Sequence, residues 1–296
     1  MRGIIINRIF ELMEKNEKIF FLTGDMGINL FEKFIDKFPE RAINVGIAEQ
    51  NLIAFSAGLV NSGNIPIAYA ISNFLIHRSF EQIRNDISIH NYPVILIGTG
   101  TGFDYGPLGP THHIIDDWGH LKSLPNFQIY CPSSNEFASI LIDKAIQEKK
   151  PTYIRVPKGS FEDIKTIKDY EYIKGKNKKI LLITYGSNIN QCLSVKKEKN
   201  VSLLFLNKVY PIEEQIFKII KEYKNILIIE DHNPSTGLFS SIAENMINSS
   251  NNQKFYSLGP KKFEYKVGNS LEYFQKIYGI DYSSIVKIID NINIRG

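Results

Sequence analysis

The chain has 296 residues, 43% of them hydrophobic and 22% charged, an ordinary globular composition that excludes a low-complexity or fibrous protein. That length predicts about two domains and is enough to bury a full core. The formal net charge is only +4, and the basic residues are dispersed apart from the short pairs Lys196-Lys197 and Lys261-Lys262, which argues against nucleic acid as a partner.

In chain order, the short apolar run in Met1-Arg2-Gly3-Ile4-Ile5-Ile6-Asn7-Arg8 is followed at once by Glu11 and Glu14. It reads as an amphipathic helix and lacks the length of a signal segment. Ile19-Phe20-Phe21-Leu22 reads as a strand ending at Thr23-Gly24-Asp25. Ala42-Ile43-Asn44-Val45 is a second strand, followed by an apolar helix from Glu49 to about Val60. Ile65-Pro66-Ile67-Ala68-Tyr69 is a third, leading into a helix from about Phe74 to His90. Pro93-Val94-Ile95-Leu96-Ile97 is a fourth, leading into a Gly- and Pro-rich loop from Gly98 to about Pro110. Gln128-Ile129-Tyr130 and Thr152-Tyr153-Ile154-Arg155 bracket a helix at about 135–148.

The stretch from about Lys158 to Lys178 is charged and poorly periodic, and the linker is placed at 161–178. Ile180-Leu181-Leu182-Ile183-Thr184, Val201-Ser202-Leu203-Leu204-Phe205 and Ile226-Leu227-Ile228-Ile229-Glu230 then read as strands of a second unit, with helices between and after them. Strand-helix alternation with continuous apolar strands predicts an α/β protein of two domains, 1–160 and 179–296. Each has a largely parallel sheet covered by helices. No run approaches about 18 apolar residues, so no membrane span is expected. Cys131 and Cys192 fall in different predicted domains, without a CxxC or His at metal spacing. A reducing, cytoplasmic setting and no metal held by this chain's own side chains are therefore expected.

Several residues have two readings. Glu49 opens an apolar helix, where it serves as a dipole-stabilised first-turn acid or as a functional carboxylate at the edge of a core. Phe74 suits core packing or a stacking surface, and Leu75 is the alternative if the spacing slips by one. His112 lies in Gly109-Pro110-Thr111-His112-His113, in a loop past a strand end, where parallel sheets bind ligands. The His112-His113 pair has no acidic or Cys partner at ligand spacing. Arg155, at a strand end, suits an anion or a salt bridge. Asp25 suits a helix cap or a site acid. Gly98-Thr99-Gly100-Thr101-Gly102 lacks the dinucleotide-binding spacing, and Pro107 and Pro110 preclude a prompt helix after it.

Asn44 to Gln50 resembles the activating-glutamate motif of the transketolase family, a form shared with deoxyxylulose-phosphate synthases. The likeness runs from about Phe20 to Arg155 for the pyrimidine-binding domain of these thiamine diphosphate enzymes. It continues from about Lys179 to Asp290 for their C-terminal domain. The resemblance implies that Glu49 hydrogen-bonds the aminopyrimidine ring nitrogen and promotes loss of the thiazolium proton. It implies that Phe74 (or Leu75) stacks on that ring and that Asp25 lies near the cofactor. It also implies that His112 contacts substrate hydroxyls and relays protons, with His113 beside it, and that Arg155 binds a substrate phosphate. Gly24-Asp25-Met26-Gly27 faintly resembles a metal motif of thiamine enzymes, but its context assigns it to the pyrimidine half.

The sequence departs from the family in two respects. Ordinary transketolases place a His and an Asp, both readers of sugar hydroxyls, where this chain has Gly100 and Leu108. That points away from the usual pentose-phosphate pair and toward an altered sugar, such as a nucleotide-linked or deoxygenated one in a surface-polysaccharide pathway. Secondly, no diphosphate-binding domain is expected ahead of the pyrimidine-binding domain. The resemblance is to split transketolases, which implies an N-terminal partner subunit holding the diphosphate and Mg2+, and a heterotetramer acting on sugars or sugar phosphates. The alternatives are the beta subunit of a 2-oxo acid dehydrogenase or a pyruvate-decarboxylating synthase, or a non-catalytic scaffold half.

Overall fold

The computed structural model describes residues 1–26, 30–158, 164–247 and 253–295. Gly27, in the Gly24–Gly27 stretch, and residues 161–163 of the expected linker lie outside the described residues. The strands are β1 Ile19–Thr23, β2 Ala42–Asn44, β3 Ile65–Ile71, β4 Ile95–Thr99, β5 Gln128–Tyr130, β6 Thr152–Val156, β7 Tyr170–Ile173, β8 Asn177–Tyr185, β9 Val201–Leu206, β10 Lys208–Tyr210, β11 Asn225–Ile229 and β12 Lys254–Leu258. They form a seven-stranded sheet of order β10-β5-β6-β4-β3-β1-β2 and a five-stranded sheet of order β12-β11-β8-β9-β7. Among the described strands, β10 against β5 and β7 against β9 pair antiparallel, and the other pairings are parallel. The expected α/β architecture with two largely parallel sheets is therefore present.

Each face of the first sheet buries its own set of side chains, as a period of two requires. Leu22, Ala68, Leu96 and Tyr153 belong to the core layer that also takes Leu52 and Ile53 of the Glu49–Asn61 helix. Their chain neighbours Phe21, Ile67, Ile95 and Ile154 face the other way, onto the Arg2–Lys15 and Asn135–Glu148 helices. The N-terminal helix contributes Ile5, Ile6, Ile9 and Met13 to that layer, the amphipathic stripe read from its sequence. No described helix is long and apolar enough to cross a membrane.

Three features differ from the sequence reading. Tyr170–Ile173, inside the stretch read as linker, is a strand at the edge of the second sheet. It is only half-buried, so it lacks the apolar run that marks the central strands. Lys208–Tyr210, beyond the linker, joins the first sheet beside β5, so the two halves share a sheet edge. Finally, the helix expected from Phe74 to His90 is not regular. It has π turns at Phe74–Arg78 and Ile83–Ser88 flanking one short α segment. A π turn accommodates an additional residue within a helix, often at a functional site. This accounts for the one-residue ambiguity between Phe74 and Leu75.

The seam between the halves is built on Arg155. It is 0% exposed, and its Nε donates to Asp117 Oδ2 at 2.9 Å while Nη1 donates to Asp231 Oδ1 at 2.8 Å. Burial works against the charged guanidinium, but Asp117 and Asp231 outweigh it and push the pKa further up. The Tyr153 hydroxyl also donates to Asp117 Oδ2, and Ser187 Oγ donates to Asp231 Oδ2. The expected substrate-anion hook is thus an internal counter-ion: both its charge partners are buried protein carboxylates, and no side of it is open to a substrate.

The loop after β4 is held from the same seam. Asp104 accepts from the Lys158 backbone N–H at 2.9 Å, and Lys158 Nζ donates to the Asp104 carbonyl at 3.0 Å. Burial pushes the Asp104 carboxyl up to about 7, partly opposed by the Lys158 N–H and reinforced by Asp231.

Two outcomes are expected. Arg155→Ala strands two buried carboxylates and should cost ~3–5 kcal/mol in urea unfolding; a loss under ~1 kcal/mol would show that the seam does not rely on this charge. For Asp104, a folded pKa raised above the unfolded value of ~3.9 gives stability that is complete below the unfolded value and lost as pH rises through the folded one. The stability of the parent relative to Asp104→Asn should therefore fall between about pH 4 and pH 7. A difference that is flat across that window would contradict the assignment.

Candidate active site

The carboxyl ends of β1 to β4 open on one edge of the first sheet, where ligands bind in such folds. Thr23 leads into Asp25, Asn44 into Glu49, Ile71 into Phe74, and Thr99 into the loop that ends at His112. Parallel pairing alone brings these four segments together.

Glu49 is 2% exposed at the first position of its helix. Its Oε2 accepts from Arg78 Nη1 at 2.5 Å. The Arg78 guanidinium also lies 4.9 Å from the centre of the Phe74 ring. Phe74 meets His112 edge to face at 5.1 Å, and His112 meets Tyr105 at 5.9 Å. Lys158 Nζ lies 4.1 Å over the Tyr105 ring. Glu49, Arg78, Phe74, His112, Tyr105 and Lys158 thus form one continuous row. A buried carboxylate beside a half-exposed aromatic offers a flat heterocycle an acceptor and a stacking face.

Of the two candidates on the π turn, Phe74 is half-buried in this row, whereas Leu75 is fully buried in the core. His112 is half-buried, and desolvation lowers its pKa, which favours a neutral ring. Its Nδ1 lies 3.0 Å from Thr111 Oγ1. Asp25 is exposed, in the left-handed region at φ 52°. Its N–H donates to Asn44 Oδ1, and Asn44 Nδ2 donates back to Asp25 Oδ1, both at 3.0 Å. That reciprocal pair ties the ends of β1 and β2 at the mouth of the row.

Two expected residues are not brought in. Arg155 belongs to the seam. His113 points away from His112, buried against Phe274 at 4.6 Å and Phe263 at 6.4 Å. Its pKa is lowered by burial, opposed in part by the Tyr105 backbone, and neither ring nitrogen completes a hydrogen bond. Such a ring packs the C-terminal half onto the loop and is closed to substrate.

Arg78, Tyr105 and Lys158 were missed from sequence. Arg78 had a signal, as a lone Arg within the apolar run Phe74 to Phe80. Tyr105 had none, because its position depends on Gly100. Gly100 has φ +76°, and a Cβ there would fall 1.9 Å from Tyr105 Cε2. The space a side chain at 100 would need is filled by the tyrosine. Leu108, the other departure, is 53% exposed.

Known proteins extend this likeness. Residues 1–163, more than half the chain, match the transketolase pyrimidine-binding domain, and residues 169–284 match the transketolase C-terminal domain. The chain is 34% identical over 272 residues to an apulose-4-phosphate transketolase subunit of Actinobacillus succinogenes, covering 88% of this chain and 87% of that one. It is 29% identical to a putative transketolase C-terminal section of Methanocaldococcus jannaschii, covering 95% and 92%. It is 30% identical to 1-deoxy-D-xylulose-5-phosphate synthase of Clostridium tetani, covering 97% of this chain but 48% of the synthase. A solved structure described as a split gene transketolase, inactive beta4 tetramer, superposes with a TM-score of 0.83 at 26% identity, covering 98% of this chain and 97% of that one. With both domains matched in order and the fold shared throughout, this chain belongs to the transketolase family.

Proposed function

We propose that this chain is the C-terminal subunit of a split transketolase-type transferase that moves a two-carbon ketol unit between sugars with thiamine diphosphate. The observation that carries this is the row from Glu49 to Lys158, with a buried carboxylate at one end and an exposed cation at the other. The relatives named as a transketolase subunit and as a C-terminal section, each covered almost end to end, support the split arrangement. So does the beta4 tetramer described as inactive, since it is a beta-only assembly without activity. An N-terminal subunit would then supply the diphosphate and Mg2+ site, in a heterotetramer.

The residues present fit the pyrimidine end of the cofactor. Glu49 Oε2 has one charged partner among the described residues, and that partner, Arg78, is itself 42% exposed. Glu49 would hold the aminopyrimidine ring nitrogen, Phe74 would stack on the ring, and Asp25 would border the entry. When bound, thiamine diphosphate supplies the carbon nucleophile that cleaves and rebuilds the ketol bond. His112 then presents Nε2 to the substrate, since Thr111 Oγ1 engages Nδ1, and a neutral imidazole there can accept and return a hydroxyl proton. With Arg155 internal, Lys158 is the cation at the far end of the row and takes over the substrate-anion role.

Gly100, whose side-chain space Tyr105 fills, and Leu108 stand where ordinary transketolases read donor hydroxyls, which supports an atypical sugar. The relatives named for apulose 4-phosphate favour a ketose phosphate over a nucleotide-linked sugar. The synthases among the relatives support a second reading, in which the donor is pyruvate.

Three experiments decide these points. In the complex with its partner, Glu49→Gln should abolish exchange of the thiazolium proton while the circular dichroism spectrum is retained; exchange at the parental rate would reduce Glu49 to a helix-terminal acid. Phe74→Ala should weaken cofactor binding with little loss of stability, whereas Leu75→Ala should cost ~2–5 kcal/mol of stability; the reverse pattern would put Leu75 at the cofactor. Against a panel of donors, xylulose 5-phosphate should be used poorly, and Leu108→Asp should raise its specificity constant by about tenfold. Efficient use of xylulose 5-phosphate by the parent complex would remove the case for an atypical sugar, and efficient use of pyruvate would select the second reading.

A further inference from the structure

The π turn that carries Phe74 and Arg78 also carries His77, and His77 takes no part in the row. It is brought instead against Asp116 and His120. One ligand atom from each of the three residues lies within 4.8 Å of the other two. His77 Nε2 is 3.0 Å from Asp116 Oδ1. The two rings meet edge to face at 5.5 Å, and Phe80 backs His120 at 5.6 Å.

The arrangement has the marks of a ligand set. His120 Nδ1 lies 2.8 Å from the Asp116 carbonyl oxygen, a contact only a protonated Nδ1 can make. That leaves the lone pair of the neutral ring on Nε2, the atom free to coordinate. A coordinating His is held in this way, with its other nitrogen donating to a carbonyl or carboxylate. Asp116 and His120 are four residues apart at the start of the Asp117–Leu121 helix, so both reach the same side. The side chains of His77 and Asp116 are 40% and 39% exposed, which leaves the cluster open to an entering ion.

The donor set indicates which ion. Two imidazoles and one carboxylate suit zinc or a similar first-row cation and are a poor site for magnesium or calcium. Tetrahedral zinc, with bonds of about 2.0–2.1 Å, places its ligand atoms about 3.3 Å apart. The His77–Asp116 pair is already at that spacing, and rotation of exposed imidazoles closes the remainder. Water would complete the fourth position.

We propose that His77, Asp116 and His120 bind a single zinc ion, which fastens the turn bearing Phe74 to the loop bearing His112. His77 lies three residues beyond Phe74, and Asp116 four beyond His112. One ion therefore clamps both segments of the candidate site without touching its row of residues. The binding itself stands independently of the transferase reading.

The test is calorimetric titration of zinc chloride into the metal-free full-length chain in a non-chelating buffer. One equivalent should bind with micromolar affinity or tighter, and should raise the melting temperature. His77→Gln and His120→Gln, whose circular dichroism should match the parent, should each weaken binding by about tenfold or more. His90→Gln, an exposed histidine outside the cluster, should leave it unchanged. Cobalt substitution should give the intense visible bands of a tetrahedral centre, lost in His120→Gln. Absence of saturable binding, equal affinity in the cluster variants, or equal loss in His90→Gln would each overturn the proposal.

Discussion

A guanidinium without access to water is stable only if its charge is matched at contact distance, and Arg155 meets that condition across the two halves of the chain. Asp117 comes from the helix just past the His112 loop, and Asp231 from the end of β11 in the second sheet. Neither carboxylate nor the arginine is tolerable alone in that interior. The pairing therefore forces the second sheet, the end of β6 and the loop base into one arrangement. Tyr153 and Ser187 reinforce the two carboxylates, and Trp118 Nε1 donates to the Tyr185 hydroxyl beside them. His232 completes the layer as a neutral ring, its pKa lowered to about 4 by burial. Its Nε2 accepts from the Gly119 N–H, so its 3.6 Å approach to Asp117 is not an ion pair.

The candidate site uses this rigidity. Asp117 lies five residues beyond His112, and Asp104 and Lys158 clasp the loop near its other end. His112 is thus held between two anchored points, as the role proposed for it requires. Glu49 presents the opposite case. Its buried charge is compensated by Arg78, which remains partly in water and is coupled to Phe74 by cation–π contact. A partly exposed partner suits a carboxylate whose proposed ligand arrives later. The two sites differ in their counter-ions: the carboxylates that meet Arg155 are enclosed, whereas Arg78 is 42% exposed.

The departures at Gly100 and Leu108 also acquire a physical meaning. Gly100 is required by its positive φ and by the ring of Tyr105 packed against it. The space a side chain at position 100 would need is taken by a ring that arrives from five residues later. Leu108 adds apolar surface on the exposed side of the same loop. Both positions lie on the loop after β4, apart from the row's Glu49 and Phe74, so under the proposed reading specificity could change without disturbing that end of the row.

Much of this was legible in the residues themselves. The apolar strand runs, the stripe of the first helix, the Asn44–Gln50 motif and Gly109-Pro110-Thr111-His112 determined the fold class, the order of the two domains and the identities of Glu49, Phe74 and His112 as candidates, because periodicity and short motifs are local properties. Other features were decided by the tertiary structure. Arg155 at a strand end looks the same in sequence whether its partner is a phosphate or a buried aspartate 76 residues away, and only packing sets which it is. His112 and His113 are neighbours that face opposite ways. Tyr170–Ile173 is too half-buried to carry a strand pattern, and the π turn at Phe74–Arg78 shifts side-chain phase with no marker residue. His77 meets Asp116 and His120 only because the loop after β4 folds back over that turn. Charge pairing, side-chain direction and convergence of distant segments depend on what lies nearby in space, and a one-dimensional pattern holds no record of that.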